Sequence, residues 1–258
     1  MTRRHLTFNC AGDQIFATLD DAPGAAALLI VSGGNEIRAG AWNGQALLAA
    51  RIADAGFPVL RFDRRGIGDS AGANLGFRGS APDIAAALRA LRNELPQVQR
   101  IVGFGNCDAA AALMLSRGTG FDALVLSNPW TLDGADDAPS SAVIRDHYRR
   151  RLANPAAIRR LLSGKVSLTK LARSAMSALA PSPSAPSGLA GELSEAISGF
   201  GGPIRFVTAG RDRTGIAFLS LWNKGDTRIR TFPDATHSYV EPQAQDWLIE
   251  RVLEMLRN

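Results

Sequence analysis

Cysteine, tyrosine and histidine are scarce in this chain: two, two and three among 258 residues. Cys10 and Cys107 form no Cys-x-x-Cys or Cys/His ligand spacing, so a disulfide framework and a structural zinc site are both excluded. So few thiols suit a reducing compartment. No apolar run approaches the roughly 18 residues needed to cross a bilayer. The basic start, MTRRHLTFNC, lacks the apolar stretch of a signal peptide, so a soluble, cytoplasmic protein is expected. No Walker-type loop occurs, and no G-x-G-x-x-G follows the first strand of a βαβ unit. Neither a metal nor an organic cofactor is expected.

The length suits one large α/β domain with room for an insertion, large enough to bury a core unaided. The net charge of +5 is unevenly spread. Between Ser141 and Ala175 nine basic residues, among them Arg149, Arg150 and Arg151, face a single acid, Asp146. No nucleic-acid motif accompanies them, so nucleic acid is not expected as a partner. A solvated helix face is the plainest account, with peripheral contact to an anionic membrane or an anionic substrate as the functional alternatives.

Short apolar runs alternate with longer helical patterns, which predicts a mainly parallel sheet covered on both faces. Strands are expected at His5–Asn9, Gln14–Leu19, Ala26–Ser32, Pro58–Asp63, Arg100–Phe104, Ala123–Asn128, Ile204–Ala209 and Arg228–Phe232. The first two alternate in polarity around AGDQ and read as an antiparallel edge hairpin. Helices are expected near Trp42–Ala55, Ala81–Leu95, Asp108–Ser116, Gly215–Asn223 and Pro242–Leu256. Eight strands in this order match the α/β-hydrolase fold. From 130 to 202 the alternation breaks into helical patterns, at Ala142–Leu152, Pro155–Leu162 and Ser167–Leu179, and a Pro/Ser-rich stretch, Ala180–Ser187. This predicts a helical cap inserted after the sixth strand, with 1–129 and 203–258 as the core.

Gly105-Asn106-Cys107-Asp108-Ala109 lies between a buried strand and an alanine-rich helix. That is the nucleophile-elbow pattern, Gly-x-nucleophile-x-Gly/Ala, with cysteine at the reactive position. The sharp turn leaves no room for a side chain at Gly105, and the helix N-terminus beyond it favours negative charge. A buried structural thiol is the bland alternative for Cys107. His237, after the last strand, is the expected base; His5 lies on an edge strand and His147 in the basic insertion. Asp212, just beyond the seventh strand, is the expected acid, with Asp226 and Asp234 as competitors. The order nucleophile, acid, histidine suits this fold. An oxyanion hole is expected from the backbone N–H of Asp108 and that of Asn35, in Ser32-Gly33-Gly34-Asn35-Glu36. Asp63 and Ser70, in the DRRGIGDS loop, read as structural.

The segments VSGGNEIRAGAWNGQALLAARIADAGFPVLRFDRRGIGDSAG, GFGNCDAAAAL and HYRRRLANPAAIRRLLSGKVSL resemble the type 1 exosortase A system-associated hydrolases. These are bacterial α/β-hydrolase-fold proteins linked to exopolysaccharide and PEP-CTERM protein-sorting loci. The resemblance spans nearly the whole chain and implies a hydrolase-type site at Cys107, Asp212 and His237. The family carries proline after the Gly-Gly pair where this chain has Asn35, which leaves Glu36 as an alternative donor.

Cysteine-dependent cleavage of a small-molecule ester or thioester through an acyl-enzyme is therefore the expected activity. An acyltransferase using a sugar or lipid acceptor is the nearest rival. A non-catalytic membrane- or partner-binding module on a hydrolase scaffold is the rival from another class.

Overall fold

The computed structural model describes residues 2–132 and 188–258. Eight strands form one sheet: β1 (Thr2–Cys10), β2 (Asp13–Asp21), β3 (Ala26–Val31), β4 (Val59–Phe62), β5 (Arg100–Asn106), β6 (Ala123–Ser127), β7 (Ile204–Ala209) and β8 (Ile229–Phe232). Their spatial order is β1-β2-β4-β3-β5-β6-β7-β8. The β1–β2 hairpin is antiparallel, β2 joins β4 antiparallel, and every later pairing is parallel. The α/β-hydrolase fold expected from the sequence is the fold observed.

The apolar runs dictate this placement. Leu28, Leu29, Ile30 and Val31 are all fully buried, as are Leu124, Val125 and Leu126. Parallel strands covered on both faces need such unbroken runs. Strand β1 alternates because one of its faces meets solvent. Helices α1 (Gly44–Asp54) and α6 (Pro242–Arg257) cover one face through Leu48, Ile52, Leu248 and Val252. Helices α2 (Ala81–Glu94), α3 (Asp108–Leu115), α4 (Gly188–Ser198) and α5 (Arg213–Leu221) cover the other. The seam between β2 and β4 carries a buried ion pair, Arg61 to Asp20 at 3.1 Å, whose carboxylate also accepts from Arg3 at 2.6 Å.

Two helices start elsewhere than expected, each for a local reason. Trp42 and Asn43 have φ of 47° and 63°. A left-handed backbone cannot continue a right-handed helix, so α1 begins at Gly44 rather than Trp42. Helix α5 begins at Arg213, two residues early, because the Asp212 carboxylate accepts from the N–H groups of Thr214 and Gly215 and caps it.

Helix α4 is an element that the sequence reading does not name. It lies within the stretch 130–202 expected as a cap, and its apolar side (Leu189, Ala190, Leu193, Ile197) belongs to the same buried cluster as Ala110–Met114 of α3. The helices expected at Ala142–Leu152, Pro155–Leu162 and Ser167–Leu179, the Pro/Ser-rich loop and the basic stretch Ser141–Ala175 lie outside the described residues. No helix among the described residues is long and apolar enough to cross a membrane.

Leu193 is fully buried between α4 and the core. Leu193→Ala is expected to cost about 2–4 kcal/mol, the range for truncating a buried leucine. Urea denaturation followed by circular dichroism checks it.

Candidate active site

The chain passes from β3 outward to β4, then returns to β5 on the other side of β3. In open α/β sheets, ligands bind in the crevice that such a reversal leaves at the carboxyl ends of the strands. The loop after β3 carries Gly33-Gly34-Asn35, and the turn after β5 carries Cys107. Strands β7 and β8 bring Asp212 and His237 to the same edge.

Cys107 sits at φ 62°, ψ −124°, at the start of α3. Such a backbone costs a non-glycine residue about 1–3 kcal/mol. Its N–H donates to Ser127 O (2.9 Å), and its C=O accepts from Trp130 N (3.1 Å) and Ala111 N (3.3 Å). A β-carbon at Gly105 would stand 2.7 Å from the carbonyl carbon of Ala109 and 2.8 Å from its oxygen, so glycine is obligatory there. Ala109 is itself fully buried. The thiol is partly accessible, whereas Cys10 is buried against Asp83.

His237 Nδ1 lies 2.9 Å from Asp212 Oδ2 and donates to it, while the Cys107 sulfur hydrogen-bonds the same imidazole. The two acceptors act together. The hydrogen bond to Asp212 comes first and that to Cys107 second, and against partial burial they push the His237 pKa from 6.5 up to about 10. Asp212 is almost fully buried and is fixed by its two cap hydrogen bonds, from Thr214 N at 3.2 Å and Gly215 N at 3.0 Å.

The competing acids are placed elsewhere. Asp226 binds Arg228 (2.7 Å) and Trp222 Nε1 (2.9 Å), which holds its carboxyl down at about 2. Asp234 is exposed. Asp63 is fully buried; it accepts from Arg38 N (2.5 Å), the Arg38 guanidinium and Asp69 N (3.2 Å). Ser70 Oγ donates to Asp63 O at 2.8 Å and accepts from Phe16 N at 2.9 Å, locking the DRRGIGDS loop to β2.

The N–H of Asp108 opens α3, where no preceding turn supplies an acceptor. The loop after β3 makes a turn in which Glu36 N donates to Gly33 O at 3.0 Å, so the alternative donor, Glu36, is already engaged. Asn35 is exposed, and its side-chain oxygen accepts from Asn74 Nδ2 at 2.9 Å.

Sequence reasoning missed the groups that tie these parts together. Asn106 Oδ1 accepts from Ser127 Oγ (2.8 Å) and Asn128 Nδ2 (3.0 Å), and Asn106 Nδ2 donates to His237 O (3.2 Å). Asn128 Oδ1 accepts from Ala209 N (2.8 Å), at the end of the acid-bearing strand. Tyr239, buried beneath them, meets Ser127 Oγ at 3.1 Å, and desolvation pushes its hydroxyl pKa up. Polar residues flanking both the cysteine and the histidine were the available signal.

With this geometry in view, a protein-family model described as the alpha/beta hydrolase family matches residues 28–251. The chain belongs to that family. No curated protein sequence matches it. Solved structures share the fold at low identity. The alpha/beta hydrolase GrgF from Penicillium sp. sh18 has a TM-score of 0.65 and 16% identity, covering 100% of this chain and 98% of that one. Est1E from Butyrivibrio proteoclasticus, bound to ferulic acid, has a TM-score of 0.61 and 15% identity over 98% and 100%. The Pyrococcus furiosus esterase Pf2001 has a TM-score of 0.59 and 14% identity over 99% and 93%.

Two measurements follow from the titrating groups. Burial, with the Asp83 carboxylate beside it, pushes the Cys10 thiol up to about 11. At pH 8 a thiol-disulfide reagent is therefore expected to modify Cys107 alone in the native protein, and both cysteines after unfolding. The folded state binds the His237 proton more tightly than the unfolded state does. That stabilisation is complete below about 6.5 and fades as pH rises through about 10. Between pH 7 and 10 the melting temperature of the parent protein should fall further than that of His237→Gln.

Proposed function

We propose that this alpha/beta hydrolase cleaves an ester or thioester through a covalent acyl-enzyme on Cys107. The observation that carries the reading is the Asp212–His237 pair at 2.9 Å, with Cys107 acting on the same imidazole. Cys107 itself stands on a strained turn at the carboxyl edge of the sheet.

In the first half-reaction the proton shared between Cys107 and His237 rests on the imidazole, and the sulfur attacks the acyl carbonyl carbon. The carbonyl π electrons move onto oxygen, which the N–H groups of Asp108 and Asn35 stabilise. As the tetrahedral species collapses, the C–S bond stays and the bond to the leaving alkoxide or thiolate breaks. That group takes the proton from His237. In the second half, His237 deprotonates a water that attacks the thioester. The sulfur leaves, the imidazole keeps the proton taken from water, and the acid is freed. Asp212 keeps Nδ1–H engaged, so the proton traffic runs through Nε2. An amide is a poorer substrate, because a thiolate leaves the tetrahedral species more readily than an unprotonated amine does.

Beside the site, a pocket of ≈ 60 Å³ opens between α1 and α6, lined by Trp42, Leu48, Phe104 and Leu248, with Glu36 and Arg51 also on its wall and Asn106 and Ser238 at its border. It supports a substrate with a small hydrocarbon portion. The link to exopolysaccharide and PEP-CTERM loci rests on the sequence resemblance and belongs to this proposal. So do the cytoplasmic setting and the membrane contact through the basic stretch.

Mixing the protein with p-nitrophenyl acetate or butyrate should produce a burst of p-nitrophenol. Intact mass should rise by one acyl group, and Cys107→Ala should abolish both signals. His237→Ala should slow acylation by about 10²–10⁴-fold, the usual worth of a positioned general base. Equal p-nitrophenol release from all three proteins, with no adduct on any, sinks the reading.

A further inference from the structure

The loop after β3 can be accounted for group by group. Every backbone N–H and C=O takes a partner from the protein, from solvent or from a ligand, and Gly34 and Asn35 are exposed, so a group here without a protein partner is open to a ligand. Two consecutive peptide units, Gly33–Gly34 and Gly34–Asn35, present four polar groups. Gly33 O accepts from Glu36 N at 3.0 Å. Gly34 N donates to Asp108 Oδ1 at 2.6 Å. Gly34 O accepts from the Arg64 guanidinium. The fourth group, Asn35 N–H, has no acceptor among the described residues.

Arg64 is an unusual residue to find in this position. It is 3% exposed, its Nη1 donates to Ser80 Oγ at 2.8 Å, and its Nε is buried without a hydrogen-bond partner. Among the described residues no carboxylate pairs with it. Its neighbour Arg65, by contrast, is matched to Asp83 at 2.5 Å. Burying a guanidinium without a counter-ion costs several kcal/mol, so the sequence retains an expensive group whose strongest contact is one backbone carbonyl.

Besides Arg64, the bond from Asn74 Nδ2 to Asn35 Oδ1 (2.9 Å) constrains the peptide to which that carbonyl belongs, but it acts on the side chain and not on the peptide itself. Gly34 has φ 54°, while Asn35 keeps negative φ. Positive φ at the first central residue alone is the type II′ pattern; positive φ at both is type I′. The two differ by a rotation of the central peptide through roughly 150–170°. Asparagine tolerates positive φ well, so residue 35 does not itself choose between them. A trans peptide sets C=O and N–H on opposite sides. The guanidinium that holds Gly34 O therefore sets the direction of Asn35 N–H.

We infer that Arg64 is a positioning residue. By gripping Gly34 O, with Asp108 gripping Gly34 N–H, it fixes the central peptide so that Asn35 N–H is offered to the acyl oxyanion. The inference rests on the acyl-enzyme reading above and adds to it a control over one donor of the hole.

The test compares two reactions of the same sulfur. Alkylation by iodoacetamide consumes the Cys107 thiolate without forming an oxyanion, whereas acylation by p-nitrophenyl butyrate passes through one. Both rates are measured by intact mass in the parent protein, Arg64→Met, Arg64→Lys and Asn35→Pro. Asn35→Pro deletes the N–H and keeps φ negative, and it also removes the side-chain bond to Asn74. Arg64→Met should lower the acylation rate constant at least about tenfold with KM within twofold, a part of the 10²–10³ usual for losing an oxyanion donor. Alkylation should stay within twofold, Arg64→Lys should recover part of the loss, and Asn35→Pro should lose at least as much as Arg64→Met.

A normal acylation rate in Arg64→Met beside a slow one in Asn35→Pro overturns the role of Arg64 and leaves the hole intact. Normal rates in both overturn the donor assignment itself. A parallel fall in alkylation assigns Arg64 to supporting the elbow, which also overturns the proposal. Absence of any acyl adduct on the parent protein, with alkylation intact, defeats the acyl-enzyme reading on which the inference stands.

Discussion

The backbone at Cys107 is held at φ 62°, ψ −124°, where an L-residue does not rest unaided, and the surrounding structure is arranged to keep it there. Two main-chain contacts with the β6 edge do the holding, one from the cysteine N–H to Ser127 O and one to its C=O from Trp130 N. Both come from the neighbouring strand and its exit. The sheet register between β5 and β6 therefore determines whether the elbow can form. Small residues at 105 and 109 let the helix approach closely enough for its N-terminus to face the sulfur.

A second layer of polar groups lies beneath this turn and couples the parts of the site. Asn128 is the hub: its amide nitrogen reaches Asn106 Oδ1 and the His237 carbonyl, and its amide oxygen takes Ala209 N. One side chain thus touches the strand that leads to Cys107, the strand that leads to Asp212 and the loop that carries His237. Buried amides are costly unless every donor and acceptor is used, and this network uses nearly all of them. The histidine is anchored through its own backbone carbonyl to the sheet as well as through its ring to Asp212.

Much of this architecture was legible in the residues. All eight strands fall where short apolar runs predict them, because burial on both faces forces such runs, and the pairing of hairpin and parallel strands follows. The ends of elements were less legible where side chains overrule periodicity. Asp212 starts α5 early by capping it, and left-handed Trp42 and Asn43 start α1 late. Helix α4 escaped notice because it follows a Pro/Ser-rich stretch, and its apolar side has meaning only once α3 is beside it. The candidate site was legible as a list of chemical types in order, since Cys107, Asp212 and His237 each follow a strand. What the list could not contain is which backbone groups remain unpaired. That depends on long-range neighbours such as Arg64 and Gly34, thirty positions apart in the chain and joined only by folding.

Asp212 serves two structures with one carboxylate, as the cap of α5 and as the partner of His237. The helix end fixes the carboxylate without any dedicated support, an economy that also narrows the routes open to sequence drift. A chain that moved its acid to another loop would have to supply a new cap at position 212 in the same step. A chain that merely lost the cap would misplace an acid it still possessed. Asparagine could preserve the helix start while emptying the charge. Variation to asparagine at this position would therefore separate the helix start from the charge that faces His237, keeping the first and losing the second.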